Sequence, residues 1–301
     1  MIKPDFLKKG DKAIIVSPAG VISNEKIEAG VDILKSWGLK VAVGKNALAK
    51  NNVFAGTDKQ RLQDFQNALD DDNIKLILCS RGGYGTNRII EKLDFTKFIK
   101  NPKWIVGYSD ITILHSHINK NYKVETIHGL MATNMLDIDE DDVYLNSLYY
   151  NLFGRKIEYQ IPSNKFNKLG KAKAEIVGGN LAILTSLIGT KSDINTKGKI
   201  LIIEDVGEYL YKIDRMIISL KQTGKLEYLK GLVVGSFSSI KDSDPSFGKN
   251  VTEIILEHTA EYNYPVCFDF PFGHEPKNYA IVLGRKTELN ISKSNVNLKQ
   301  Y

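Results

Sequence analysis

Residues 104–112 read WIVGYSDIT, a short apolar run that ends in a Gly-x-Ser-Asp turn. Ile105 and Val106 carry the branched side chains of a buried strand, Gly107 permits a sharp turn, and Ile111, Leu114 and Ile118 then recur at helical spacing. The sequence therefore predicts strand, turn and helix, with Ser109 at the junction. A serine there projects from the carboxyl edge of a sheet. The first unsatisfied N–H groups of the helix, beginning near Asp110, and the positive end of its dipole would favour an oxyanion beside the hydroxyl. That is the geometry acyl transfer needs. The usual nucleophile elbow has a second glycine two residues after the serine, where this chain has Ile111. On this stretch alone, a plain helix cap by Ser109 or Asp110 is the simpler reading.

The alternation of strand and helix extends outward from this turn. AIIVS (13–17), a helix through Ile27, Val31 and Leu34, and LKVAVG (39–44) come first. A Thr57/Gln60 capping box then opens a helix through Leu62, Phe65 and Leu69, followed by the buried-type strand IKLILC (74–79). VETIH (124–128) follows the Ser109 helix. Such regular alternation implies parallel strands joined by right-handed crossovers, an α/β fold in which ligands gather at the carboxyl ends of the strands.

From about residue 151 the pattern loosens into RKIEYQIPSNKFNKLGKAK (155–173), rich in lysine and without a helical stripe. Strand and helix patterns resume with GGNLAILTSLIG (178–189), KILIIED (199–205), a helix carrying Ile213, Met216, Ile217 and Leu220, and GLVVGSF (231–237). A helix through Val251, Ile254 and Ile255 precedes VCFDF (266–270) and YAIVLG (279–284). The expected organisation is a doubly wound, mostly parallel α/β domain over 1–152, a linker over 153–170, and a second α/β domain with mixed strands over 171–301. No internal repeat or low-complexity tract is visible.

Composition sets outer bounds. The 301 residues are 43% hydrophobic and 25% charged, enough for a sizeable core. The net charge of +6, from 41 basic and 35 acidic residues, is spread along the chain without the clustered Lys/Arg runs of a nucleic-acid or polybasic membrane surface. No apolar stretch approaches the roughly 20 residues that span a bilayer, and the amino terminus MIKPDFLKKGDK lacks a hydrophobic signal core, so a cytoplasmic protein is expected. Cys79 and Cys267 lie in apolar strand-like runs and read as buried free thiols. The five histidines show no metal-ligand spacing, which predicts catalysis without a metal or other cofactor.

A serine nucleophile needs a base within reach and an acid that orients the base. Glu204 ends the apolar run from Ile200 to Ile203, at the carboxyl tip of a buried strand where a solvated glutamate would be unusual. Its alternative role is an ion pair with Lys or Arg. His274 lies in PFGHEP (271–276), a Pro/Gly-rich loop just beyond VCFDF. His128 ends the strand VETIH and can also reach the sheet edge, so the residues alone leave the base open between these two. His115, His117 and His258 sit on helices and read as structural.

Taken together, SRGGYGTNRII (80–90), GYSDIT (107–112), HG (128–129), GGNL (178–181), IEDVGE (203–208) with YKIDRM (211–216), and PFGHEPKN (271–278) resemble the LD-carboxypeptidase family of serine peptidases. The motifs run in order across nearly the whole chain. The resemblance implies a Ser-His-Glu triad of Ser109, His274 and Glu204, with the active site in the cleft between two domains. It also implies an oxyanion hole from the amides of Asp110 and Gly83. Arg81 is the candidate fork for the substrate's terminal carboxylate, with Gly82 and Tyr84 of the same loop as further substrate contacts. The implied reaction removes the terminal D-alanine from cytoplasmic murein tetrapeptides during cell-wall recycling, by a homodimer without metal, nucleic acid or membrane partner.

A branch of the family resembling microcin C immunity peptidases is the alternative activity. A two-lobed protein that only binds a muropeptide or phosphate is a second alternative, since SRGGYG could cradle an anion. The chain departs from the family pattern at Leu130, where proline is frequent, and at Glu275, where a small residue is common. A glutamate beside the imidazole would raise its pKa if close and alter substrate choice.

Overall fold

Branched and aromatic residues in short runs make the strands of the first sheet, and helices whose apolar faces recur every three or four residues cover it. The computed structural model describes residues 1–139 and 141–301. Its chain forms two units, one of residues 1–156 with 279–283 and one of residues 157–278 with 284–301.

The first unit runs β1 (Lys12–Val16), α1 (Asn24–Ser36), β2 (Lys40–Val43), α2 (Asp58–Asp70), β3 (Ile74–Cys79), α3 (Thr96–Lys100), β4 (Trp104–Gly107), α4 (Thr112–Asn121), β5 (Thr126–His128) and α5 (Val143–Leu152). Thr57 and Gln60 form the expected capping box at the start of α2, satisfying two amide groups that the first helical turn leaves open. β1 to β5 pair in parallel in the order 2-1-3-4-5. The order reverses between β1 and β3, the point where an open α/β sheet leaves a crevice at its carboxyl edge. Ile15, Leu34, Leu76, Leu78, Trp104, Val106, Ile127 and Leu148 belong to its buried core.

The second unit runs β6 (Ile157–Pro162), β7 (Gly170–Asn180), α6 (Leu181–Ser186), β8 (Ile200–Val206), α7 (Leu210–Gln222), β9 (Gly231–Ser238), α8 (Val251–Thr259) and β10 (Val266–Cys267). After β11 (Ile281–Leu283) it is completed by β12 (Lys286–Ile291) and β13 (Asn295–Gln300). The sheet order is β10-β9-β8-β7-β12-β13-β6, parallel from β7 to β10 and antiparallel from β7 through β12 and β13 to β6. The mixed character expected of the second half is present.

Three sequence expectations differ from the structure. The stretch read as a linker over 153–170 contains β6, where Ile157, Tyr159 and Ile161 are buried and alternate with exposed partners, the pattern of a one-sided strand. VCFDF is strand only at Val266–Cys267, because the chain turns at Asp269, which has φ +56°. YAIVLG does not extend the second sheet: β11 pairs antiparallel with β5, Ile281 opposite His128, and so closes an edge of the first. Among the described residues no helix is long and apolar enough to cross a membrane.

Candidate active site

β4 ends at Gly107, Tyr108 is extended, and Ser109 then takes φ +65°, the left-handed region that non-glycine residues rarely enter. Residues Ser109–Ile111 make a single tight turn that leads into α4. A strained, strand-to-helix serine is the local geometry of a nucleophile elbow. Ile111, which stands where a second glycine is usual, fits because Gly107 has no side chain. A β-carbon on Gly107 would lie 2.9 Å and 3.0 Å from the two γ-carbons of Ile111 and 3.2 Å from Cβ of Cys79.

His115 on α4 holds the same turn from below, with Nε2 2.8 Å from the carbonyl of Gly107. A carbonyl only accepts, so Nε2 carries the proton. Burial pushes this imidazole down to about 4, against a smaller upward effect of the Gly107 bond, and it stays neutral near pH 7. The structural role expected for His115 is thus a specific one.

The Gly-rich loop after β3 lies against Ser109. A β-carbon on Gly82 would be 2.7 Å from Cβ and 2.9 Å from Oγ of Ser109, and 3.4 Å from the amide nitrogen of Asp110. Only glycine permits that approach. The carbonyl of Gly82 accepts from the amide of Gly20 at 3.0 Å, so the N–H of Gly83, across the same planar peptide, faces the other way. Neither that N–H nor the amide of Asp110 donates to an acceptor among the described residues.

Two side chains, Asp110 and Arg61, pin this loop. Asp110 is 1% exposed, and its Oδ2 accepts from the amide of Thr86 at 2.8 Å. Burial raises its pKa, with the Thr86 bonds and the Arg61 charge opposing. Arg61, on α2, is equally buried and donates through Nη1 to the carbonyls of Pro18 and Gly85, both at 2.7 Å, while Nη2 pairs with Asp58. Asp58, three residues earlier on the same helix face, was the only sequence sign that Arg61 is held in place.

The remaining loop residues face outward. Arg81 is exposed and its Nη1 donates to the carbonyl of Val21 at 2.9 Å, with no carboxylate partner among the described residues. Tyr84 is exposed, its ring 5.8 Å from that of Phe54.

In the second unit, the end of β8 brings a carboxylate and an imidazole together. The pairing of β8 with β9 shifts register between Ile203 and Asp205, and both Glu204 and Asp205 are buried at the shift. Oε2 of Glu204 lies 2.6 Å from Nδ1 of His274. Gly273 makes this possible: it has φ +130°, and a β-carbon there would sit 2.9 Å from Oε2 of Glu204. Its amide donates to Oδ1 of Asn278 at 3.0 Å, and the carbonyl of Phe272 accepts from the amide of Ser236 at 2.8 Å, so the loop is fixed on both sides of the histidine.

Burial pushes the His274 imidazole down, but the hydrogen bond and charge of Glu204, with the charge of Asp205, outweigh it and the net direction is up. Asp205 accepts from Nδ2 of Asn180 at 3.0 Å and from the amide of Ala182 at 2.9 Å, which ties the start of α6 to the strand end. Burial pushes Asp205 itself up to about 6. Glu275 is exposed and is not among the groups that raise the imidazole, so the condition of closeness under which it would do so is not met.

His128 pairs with Gly107 in the sheet but is fully buried, its ring 5.4 Å from that of Tyr108. His117 packs between Phe95 and Tyr122. His258 does not simply continue an apolar face: its Nε2 is 2.8 Å from Oδ1 of Asp214 and links α8 to α7. Asp214, Glu257 and His258 have ligand-type atoms within 4.8 Å of one another, but Glu257 is already paired with Lys249 at 2.7 Å. Both cysteines are buried, and burial pushes the Cys79 thiol up and that of Cys267 up to about 12, so neither is a nucleophile near neutrality.

An α/β chain with a strained serine at a strand-to-helix turn, a Gly-rich loop packed against that serine, and a buried carboxylate holding an imidazole has the equipment of a serine hydrolase. The LD-carboxypeptidase N-terminal domain family matches residues 14–129 and the C-terminal domain family matches residues 173–289, so the chain belongs to the LD-carboxypeptidase family of serine peptidases. It is 35% identical to the probable murein peptide carboxypeptidase of Bacillus subtilis (strain 168) over 291 residues, 96% of this chain and 91% of that one. The crystal structure of muramoyltetrapeptide carboxypeptidase from Oxalobacter formigenes superposes with a TM-score of 0.87 at 26% identity, covering 96% of this chain and 98% of that chain. The MccF-like protein of Bacillus anthracis str. Ames shares the fold, with a TM-score of 0.87 at 24% identity over 100% of both chains.

Proposed function

We propose that this protein is a serine-type LD-carboxypeptidase that removes the terminal D-alanine from murein tetrapeptides through a triad of Ser109, His274 and Glu204. The observation that carries the reading is the left-handed Ser109 held against Gly82 of the Gly-rich loop. The reading requires that the working enzyme present His274 of the second unit to Ser109 of the first.

His274 takes the Ser109 proton at Nε2 as Oγ attacks the carbonyl between the diamino acid and D-alanine. Glu204, against Nδ1, holds the ring and stabilises the imidazolium. The amides of Asp110 and Gly83 take the oxyanion of the tetrahedral intermediate. Its collapse breaks the C–N bond, and His274 returns the proton to the leaving amine, leaving an acyl-Ser109 ester. Water, deprotonated by His274, cleaves the ester and restores the serine. Arg81, which has no carboxylate partner among the described residues, would take the carboxylate of the departing D-alanine, with Gly82 and Tyr84 lining its path.

The same reading places the protein in the cytoplasm, as a homodimer in cell-wall recycling without metal or cofactor. Light scattering on the eluting protein tests the dimer. The activity is tested by mass-spectrometric detection of D-alanine release from L-Ala-γ-D-Glu-L-diamino acid-D-Ala by the wild type and by Ser109→Ala. Release by the wild type alone supports enzyme and nucleophile together, equal release by both removes Ser109 from the mechanism, and no release by either overturns the reading.

A further inference from the structure

Where β8 pairs with β9, Ile203 lies opposite Val234 and Asp205 opposite Phe237, so Glu204 alone spans Gly235 and Ser236. Such a bulge disrupts the hydrogen-bond ladder locally and bends the strand that carries the extra residue. β9 uses its two unmatched residues to seat the histidine loop. A β-carbon on Gly235 would lie 2.3 Å from the carbonyl oxygen of Phe272, an approach that only glycine permits. The amide and the hydroxyl of Ser236 both donate to that carbonyl, at 2.8 Å and 3.2 Å. The imidazole of His274, two residues on, is therefore presented from the β9 side of the break.

The β8 side needs a restraint of its own, because the pairing with β9 skips Glu204 and the pairing with β7 ends there, opposite Asn180. The next side chain supplies it. Alternation along the strand sends Asp205 to the face of Leu201 and Ile203, which pack in one core with Leu181 and Leu184 of α6, and Glu204 to the opposite face. Asp205 is 2% exposed and accepts three hydrogen bonds. Oδ1 takes Nδ2 of Asn180 at 3.0 Å and the amide of Val206 at 2.8 Å, and Oδ2 takes the amide of Ala182 at 2.9 Å. Asn180 in turn caps α6, its Oδ1 accepting from the amide of Ile183 at 3.1 Å. One carboxylate thus clamps the strand end to the last residue of β7 and to the first turn of α6. Burial and the neighbouring charge of Glu204 act against its ionisation, and the donors offset them in part.

We propose that Asp205 is a positioning residue of the Glu204–His274 pair: by fastening the end of β8 to β7 and α6, it holds the Glu204 carboxylate where β9 presents the imidazole. Every group involved lies in the second unit. The 2.6 Å separation of the pair is then set by two anchors, Asp205 on β8 and Ser236 on β9. That the pair serves catalysis rests on the carboxypeptidase reading, whereas the hold of Asp205 on its geometry does not. Glu204 and Asp205 are the charged groups that act on the imidazole; Ser236 and Phe272 bring no charge, and Glu275 is exposed.

The test compares the wild type with two variants. Asp205→Asn keeps Oδ1 as acceptor for Asn180 and Val206 but turns an N–H toward the amide of Ala182, and Asp205→Ala removes all three bonds. Proton NMR reads the pair directly, because a proton held between Nδ1 of His274 and Oε2 of Glu204 in so short a bond resonates far downfield. Below its melting transition, Asp205→Ala is expected to shift or erase that resonance. It should also cut kcat about 100-fold with KM within about twofold, the scale of a catalytic group displaced by about 1 Å. Asp205→Asn is expected to fall between, with a roughly tenfold loss, and it carries the test if the alanine variant does not fold. An unchanged resonance and unchanged kcat in both variants, with only a lower melting temperature, overturns the inference and leaves Asp205 as a tie for α6. An unchanged resonance with the His274 titration moved down also overturns it, since Asp205 then acts by its charge alone. No turnover by the wild type overturns the carboxypeptidase reading, and the resonance still decides whether Asp205 positions the pair.

Discussion

Oε2 of Glu204 and Nδ1 of His274 stand 2.6 Å apart, the carboxylate wholly buried and the imidazole partly so. Burial alone would lower the basicity of His274, yet the bond and charge of Glu204, helped by Asp205, carry its pKa above the ordinary 6.5. The sign for catalysis follows, because a general base acts only when neutral. Activity falls as pH drops through the raised value, so the acid limb of kcat/KM is expected above pH 6.5. For stability the sign is opposite: the pair contributes fully below 6.5, and the contribution is lost as pH rises through the folded value. Glu204→Gln should move the His274 titration, read by 15N NMR of the ring, downward and lower kcat about 10⁴-fold, as when a triad acid is replaced by its amide. An unmoved titration would remove Glu204 as the cause.

The contact between Gly82 and Ser109 makes a second prediction. A β-carbon at Gly82 would overlap that of Ser109 at 2.7 Å, so the loop must retreat and carry the Gly83 amide with it. Gly82→Ala is expected to cut kcat by about 10²–10³, the effect of losing one oxyanion donor. A drop in melting temperature should accompany it, since overpacking typically costs about 1–3 kcal/mol. Wild-type turnover by Gly82→Ala would separate the loop's approach from catalysis.

Asp110 offers a third. Removing its carboxylate strands the buried amide of Thr86, at a cost of about 1–3 kcal/mol, and takes away a charge near Arg61. Asp110→Ala should therefore lower stability and reduce kcat about tenfold through the loosened loop, whereas Asp110→Asn keeps an acceptor for Thr86 and should retain more of both. Denaturant titration beside steady-state kinetics checks this, and equal behaviour of the two variants would deny the hydrogen bond its role.

How far these relationships could be read from sequence depended on whether they are local. The strand at IKLILC, the Thr57 cap and the turn at GYSDIT are written in spacings of a few residues, and each stands where the spacing put it. Arg61 reads as an ordinary charge on a polar helix. Its burial is decided by the carbonyls of Pro18 and Gly85, 43 and 24 residues away. β11 looks like one more strand of the second half, and nothing in YAIVLG announces that its partner is β5. β6 carries a clean alternation in IEYQIP, but the surrounding lysines dilute it below recognition. Glu204 was conspicuous because a carboxylate ended an apolar run, whereas the Gly273 conformation that lets His274 meet it depends on a contact across the fold.

Ile111 supplies the last prediction, because it replaces a glycine that elbows of this kind usually have. Its side chain is fully buried and covers Gly107, so it fills the space that a bare backbone would leave at the turn. Ile111→Ala should cost about 2–5 kcal/mol of stability, since a buried aliphatic is removed and the surrounding backbone can only partly collapse. Ile111→Gly should cost about 1 kcal/mol more, for the added freedom of the unfolded chain. Below the melting transition both variants should keep kcat within tenfold of wild type, because Ser109, the Asp110 amide and Gly82 are unchanged. A variant that melts like the wild type would show that Ile111 does not support the turn. One that folds well but loses turnover more than 100-fold would show that the left-handed serine depends on this side chain, not on the Gly107 bond to His115.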